Sequence, residues 1–404
     1  MDRRANCRFL LFFVFGLLML NPRSGNAQVK FQIIPEEPVY TFGELITFKA
    51  SLTYDGQIDE VLLFIQTGEG SDLQVHPVSL DEFGNLSVRV DLGEYPLSGY
   101  SNIEYWYQVN TAKGETYSSD RYTFDYVDNR YQWRSLTGDP FTIHWYRGDL
   151  AFGEEVLNVS LEGLRNTQGL LAVFFPESID IYVYDDVQAM QAALPNEGQN
   201  WLAGHADPTD GVVLVSLPPG LDQRLEMERQ IPHELMHIGL EYTDSHAYAN
   251  LPTWFNEGLA SLVELYPNPE YPAIMDKAFE SDQLLPFATL CHSFPTDAGR
   301  GLLAYAQSAS FTQYLYDRFG EPGFNRLIAA YASGMDCESG VEQALGTNLA
   351  GLESGWRREN FSDLTIARTY QEFLPWMVLL LVILAGPVIL AIMIFRKRPA
   401  REQI

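Results

Sequence analysis

The chain has 404 residues, with 26 Lys and Arg against 53 Asp and Glu, giving a formal charge of −27 at pH 7. So acidic a balance argues against nucleic acid as a partner, since binding a phosphate backbone wants a basic face.

Asp2-Arg3-Arg4, the apolar run from Phe9 to Leu20 and the small residues Gly25-Asn26-Ala27 follow the order of a secretory signal peptide, predicted over 1–27. The exported remainder is too long for one typical core, so two domains are expected. In the first, Ile46, Phe48, Ala50, Leu52 and Tyr54 alternate with polar residues, the period of a strand with one buried face. Val61 to Ile65 is continuously apolar and suits an inner strand. Leu86–Leu92, Ile103–Val109 and Tyr122–Tyr126 follow, separated by turn signals at Asp55-Gly56, Gly68 to Ser71, Phe83-Gly84-Asn85 and Ala112-Lys113-Gly114. This pattern predicts an all-β immunoglobulin- or fibronectin-like sandwich over 28–130. It has no cysteine, which excludes the disulfide-pinned antibody variety. Such a domain could bind substrate, hold its neighbour off a membrane or only support it.

From about Pro140 the period changes. Strands are expected at Phe141–Tyr146, Ile179–Tyr184 and Val212–Ser216, and helices at Leu150–Leu164 and Val187–Ala193, with a mostly helical remainder. This order is α+β and is assigned to 131–367. Cys7 leaves with the signal; Cys291 and Cys337 remain, an even count in an exported segment, and are expected to form a disulfide. From Leu374 to Phe395 the chain is apolar and uncharged, long enough for one transmembrane helix over 374–395. Arg396, Lys397, Arg398 and Arg401 follow at once. By the positive-inside rule 396–404 is a cytoplasmic tail and the ectodomain lies outside the cell membrane.

The chemistry concentrates in His233-Glu234-Leu235-Met236-His237. On a helix, His-Glu-x-x-His sets two imidazoles one turn apart on one face, where both can bind one Zn²⁺. The intervening Glu can take a proton from water activated there. The bare pentad arises by chance in about one chain in a hundred of this length. The second block, Asn256-Glu257-Gly258, can supply the third ligand, Glu257, from a neighbouring helix. Two imidazoles and one carboxylate leave a fourth position open, the mark of a catalytic rather than a structural zinc. Pro232 directly precedes His233, so the helix is expected to kink or to start afresh there. Ser261 or Glu264 could support a zinc-bound histidine, and His205 could touch substrate.

With HELMH at 233–237 and LPTWFNEGLA at 251–260, the run from about Phe141 to Trp356 resembles a peptidase-MA-like domain of the gluzincin clan. Tyr305-Ala306-Gln307-Ser308 is similar to exported, membrane-anchored bacterial members. The resemblance implies a zinc-dependent metallopeptidase, with His233, His237 and Glu257 as ligands and Glu234 as general base. It implies that an edge strand, either Ala203 to Ala206 or Val212 to Ser216, pairs with a peptide or protein substrate, and that Tyr305 stabilises the oxyanion. Two other readings stay open: a catalytically silent cell-surface binding protein, and a zinc hydrolase of non-peptide amides such as cell-wall material.

Overall fold

The structure is a computed structural model that describes residues 31–67, 73–194 and 204–396. The expected signal peptide, the Gly68 to Ser71 turn and tail residues 397–404 lie outside the described residues. Two compact units are formed. The first comprises the described parts of Met1–Val39, Ile46–Val90 and Glu104–Phe124; the second takes Tyr40–Leu45, Asp91–Ile103 and Asp125–Ile404.

The N-terminal part is all-β. Its strands are β1 (Phe31–Pro35), β2 (Val39–Thr41), β3 (Leu45–Tyr54), β4 (Ile58–Thr67), β5 (Gln74–Pro77), β6 (Ser79–Leu80), β7 (Asn85–Asp91), β8 (Ser101–Thr111), β9 (Thr116–Ser118) and β10 (Tyr122–Tyr126). One sheet runs β1-β3-β7-β6 with β2 beside β3; the other runs β10-β8-β4-β5 with β9 beside β8. The alternating pattern does what a period of two dictates. Ile46, Phe48, Ala50 and Leu52 are buried, and Phe48 meets Tyr105 of the opposing sheet at a ring separation of 5.0 Å. Strand β4 departs from expectation. Val61, Leu63 and Ile65 are buried, but Leu62 and Phe64 are only half-buried on the other face. Phe64 stacks there on Trp106 at 5.2 Å, with the Arg121 guanidinium 3.9 Å over the indole. Side-chain stacking on the outer face, rather than burial on both faces, accounts for the unbroken apolar run.

The second unit is α+β. It contains a third sheet of β11 (Arg134–Gly138), β12 (Phe141–Trp145), β13 (Ile179–Tyr184), β14 (Gly204–Asp207) and β15 (Val212–Ser216), in the order β11-β12-β13-β15-β14. β12, β13 and β15 are parallel, while β11 and β14 run antiparallel at the margins. Val212–Ser216 is therefore paired on both sides, and Gly204–Asp207 is a margin among the described residues. Helix α1 (Leu150–Leu170) makes the crossover from β12 to β13 and runs six residues beyond the expected end. Its start is fixed by Asp149, whose side chain accepts from the Phe152 N–H. The short α2 (Val187–Gln191) follows β13.

The remaining helices are α3 (Gln223–Thr243), α4 (Ser245–Asn250), α5 (Thr253–Leu262), α6 (Tyr271–Glu280), α7 (Ala298–Ala332), α8 (Cys337–Leu345), α9 (Leu349–Asn360) and α10 (Ser362–Arg396). α7 breaks at Gly320, whose φ of +58° suits glycine, two residues before Pro322. The helical core gathers around Trp254, Phe287, Phe311 and Trp356, all fully buried. Cys291 and Cys337 are bridged, with Cα atoms 5.9 Å apart. The Trp254 indole N–H donates to Cys337 Sγ at 3.3 Å, so the bridge packs on the helix that carries Glu257. α10 includes an uninterrupted apolar stretch, Phe373–Met393, with nothing packed around it among the described residues.

Candidate metal centre

Helix α3 lies between two cores. Met227, Ile231, Leu235 and Ile238, spaced by fours and threes, belong to the sheet's core. Met236 and Leu240 belong to the helical core. Two buried faces fix the helix in rotation, and the remaining stripe carries His233 and His237. Their ring centroids are 5.2 Å apart.

The helix runs unbroken through Pro232, so it does not begin again there. The carbonyl that the proline would orphan, that of Glu228, accepts from the Leu265 N–H at 2.8 Å. The ring itself is accommodated because its neighbour on α1 is Gly163, where a Cβ would come within 2.9 Å of Pro232 Cγ.

Helix α5 brings the third group. Trp254, Phe255, Leu259 and Ala260 are buried, leaving Asn256 and Glu257 for the α3 histidines. Gly258 allows the approach of α7: a Cβ there would lie 2.0 Å from Thr312 Oγ1. Glu257 Oε2 is 3.3 Å from His233 Nε2 and 3.8 Å from His237 Nε2. Ligand atoms of His233, His237 and Glu257 all fall within 4.8 Å of one another, so they can hold a metal ion. The other ring nitrogens face oxygen acceptors. His233 Nδ1 is 3.1 Å from Glu264 Oε1, and His237 Nδ1 is 3.3 Å from Asn256 Oδ1. With each Nδ1–H donated outward, each Nε2 lone pair is directed to the shared centre. Of the two supports weighed from sequence, Glu264 is the one in place and is buried; Ser261 Oγ is buried without a hydrogen-bond partner. Asn256 was missed, although it directly precedes Glu257.

Glu234 points elsewhere, toward the sheet margin. A Cβ on Gly204 would fall 2.4 Å from Glu234 Oε1, so β14 runs directly against this carboxyl. His205, next on β14, is exposed. Tyr305, early in α7, gives its hydroxyl to the Glu257 carboxylate, and its ring lies 6.3 Å from that of His233. Tyr248 of α4 was not foreseen. Its ring is 6.2 Å from that of His237.

Burial dominates the titration of the cluster. It pushes Glu234 up to about 7 and His237 down to about 4. Burial also opposes the charged form of His233, but Glu257 and Glu264 outweigh it and hold His233 well above its usual range. Burial raises Tyr305 well above the ordinary phenol range, and the Glu257 carboxylate adds to this. Three carboxyl groups, Glu234, Glu257 and Glu264, all lie close enough to act on His233. Among the described residues no Lys or Arg ion pair reaches them. Buried anions of this kind need a compensating cation. Two imidazole nitrogens and a carboxylate oxygen are the donors that a zinc-type site uses, so the residues fit the metal that the motif implies.

Residues 162–361 match the family model of the Peptidase MA superfamily. The segment belongs to that superfamily. The peptidase-like domain therefore spans all of the site, from α3 to Tyr305. No curated protein matches the chain. Among solved structures, an aminopeptidase N family protein from Idiomarina loihiensis is 9% identical, over 78% of this chain and 72% of its own, with a TM-score of 0.36. The sensor domain of the anti-sigma factor RsgI4 in Pseudobacteroides cellulosolvens is 13% identical over 25% of this chain and 98% of its own, with a TM-score of 0.20. A carbohydrate-binding module family 56 β-1,3-glucan-binding domain is 16% identical over 23% and 96%, with a TM-score of 0.17. The overlaps are too weak to carry any argument about activity.

Proposed function

We propose that this chain is a membrane-anchored, extracytoplasmic zinc metallopeptidase. The observation that carries the reading is the convergence of His233, His237 and Glu257, backed by Glu264 and Asn256, inside the Peptidase MA segment. His233, His237 and Glu257 would hold the zinc. Bound there, zinc supplies Lewis acidity, which eases loss of a proton from water and polarises a carbonyl. Glu234 accepts the proton of the water that adds to the peptide carbonyl carbon. It then returns that proton to the amine as the C–N bond breaks. Burial pushes Glu234 up to about 7, which suits a carboxyl to taking up and giving back a proton. Tyr305 is assigned to the oxyanion; its hydrogen bond to Glu257 keeps the hydroxyl at the centre. Gly204–Asp207 is assigned to the substrate backbone. A margin strand offers main-chain donors and acceptors to an extended peptide, and its position against Glu234 supports that assignment.

Phe373–Met393 is assigned to the bilayer. Its 21 residues extend about 31 Å as helix, matching a hydrocarbon core. The basic residues after it favour a cytoplasmic tail, and the Cys291–Cys337 bridge favours an oxidising compartment for the catalytic unit.

The test is metal content and cleavage of an unbiased peptide library by the full chain in detergent, wild type beside Glu234→Gln. One zinc per chain in both, with turnover in the variant reduced about 10²- to 10⁴-fold, is expected. Wild-type cleavage by Glu234→Gln would remove the assigned base. One zinc without cleavage by either protein would assign the domain to binding or to non-peptide amides.

A further inference from the structure

We infer that Pro232 is a positioning residue for the metal centre, acting through the backbone rather than through the site. This inference rests on the metal reading of the centre. In an unbroken α-helix the Glu228 carbonyl would accept from the N–H four residues on. Position 232 has no N–H, so this carbonyl is left for another donor. It takes the Leu265 N–H at 2.8 Å, with the Tyr266 N–H at 3.4 Å. These donors lie just past the end of α5, and the residue before them is Glu264, whose carboxylate meets His233 Nδ1 at 3.1 Å.

The same segment is held from a second side. Asn166 of α1 donates through Nδ2 to the Val263 carbonyl at 2.8 Å. Residues 263–266 are therefore clipped to α1 and to α3 on either side of Glu264. The clip closes a short loop of contacts. Pro232 frees a carbonyl one turn ahead of His233, that carbonyl fixes Leu265, and the neighbouring carboxylate returns to the His233 ring. Gly163 completes the arrangement by leaving room for the proline ring. A proline inside a helix normally costs stability. Here its missing donor is matched by a tertiary one, and the match falls at the support of a metal-ligand histidine.

The experiment uses the full chain in detergent, wild type, Pro232→Ala, Glu264→Gln and the double variant. An N–H restored at 232 competes for the Glu228 carbonyl and draws it from Leu265. In metal-free protein, amide hydrogen exchange across 263–268 is expected to quicken about tenfold in Pro232→Ala, the equivalent of one net hydrogen bond. Exchange within α3 at Leu235 to Ile238 should not quicken. Zinc affinity, measured by chelator competition, is expected to fall 10- to 100-fold in Glu264→Gln, with a smaller loss in Pro232→Ala. The double variant should bind no more weakly than Glu264→Gln alone, because both act through one contact. Unchanged exchange at 263–268, or a full additional loss in the double variant, would overturn the inference. Wild-type protein that binds no zinc would overturn the metal reading, and the exchange comparison would still decide whether Pro232 sets the clip.

Discussion

At Gly204 the absent side chain is what lets β14 run against Glu234, since a methyl group would sit 2.4 Å from Oε1. Gly204→Ala is expected to displace the proposed base while leaving His233, His237 and Glu257 untouched. A displacement of about 1 Å can cost 10²-fold in turnover, so kcat should fall by about that factor with zinc content unchanged. Loss of zinc in this variant would show that Gly204 supports the ligands instead. His237→Ala should lose zinc and turnover together, and metal analysis beside a peptide-cleavage assay checks this. Asn256→Ala should weaken zinc about tenfold and leave the fold intact, as removal of a ligand's hydrogen-bond partner does. At this scale the sequence was legible where the chemistry is local. Two residues four apart on a helix must share a face, so the meeting of His233 and His237 follows from spacing alone. Glu264 could be named only as one of two supports, because its place depends on how α5 ends. Tyr248 could not be named, because no spacing relates it to His237; only the packing of α4 does.

The elements show why the helix does not restart at Pro232. Proline's penalty is local, and its relief is tertiary: Gly163 lies on another helix and Leu265 on another segment. The same asymmetry governed β4, whose apolar run reads as doubly buried until Trp106 and Arg121 are seen beside Phe64. The disulfide, by contrast, was readable from an even count of cysteines. It closes a separation of 46 residues and is worth about 4 kcal/mol on the chain-entropy account. For a unit of more than 200 residues this corresponds to a fall in Tm of roughly 10 °C. The paired variant Cys291→Ser with Cys337→Ser, followed by calorimetry, should show that fall. Because Cys337 touches Trp254, zinc affinity should weaken in the same protein. An unaltered affinity would mean that α5 holds its place without the bridge.

For the molecule as a whole, the sequence announced an all-β part, an α+β part and an apolar helix, and these are the parts observed. What it could not give was their internal order, above all that β14 rather than β15 stands at the sheet margin among the described residues. That order is set by pairing between segments distant in the chain. The apolar stretch of α10 has a direct consequence for handling the protein. A chain ending at residue 361, which keeps Phe361 in its contact with Phe279 and Trp356, should remain in the soluble fraction after alkaline extraction. The full chain should sediment with membranes, and recovery of the full chain in the soluble fraction would remove the anchor from this reading.

The margin strand has a further meaning for the proteins this site would act on. On the proposed reading, four residues of backbone would select for extension rather than composition, and a target segment would have to leave its own sheet or helix before lying along Gly204–Asp207. Selection then falls on the free energy of local opening in the target, and each 1.4 kcal/mol of added stability lowers the open population about tenfold. A peptidase of this design would discriminate by the foldedness of its clients, sparing native proteins and taking those that have come undone.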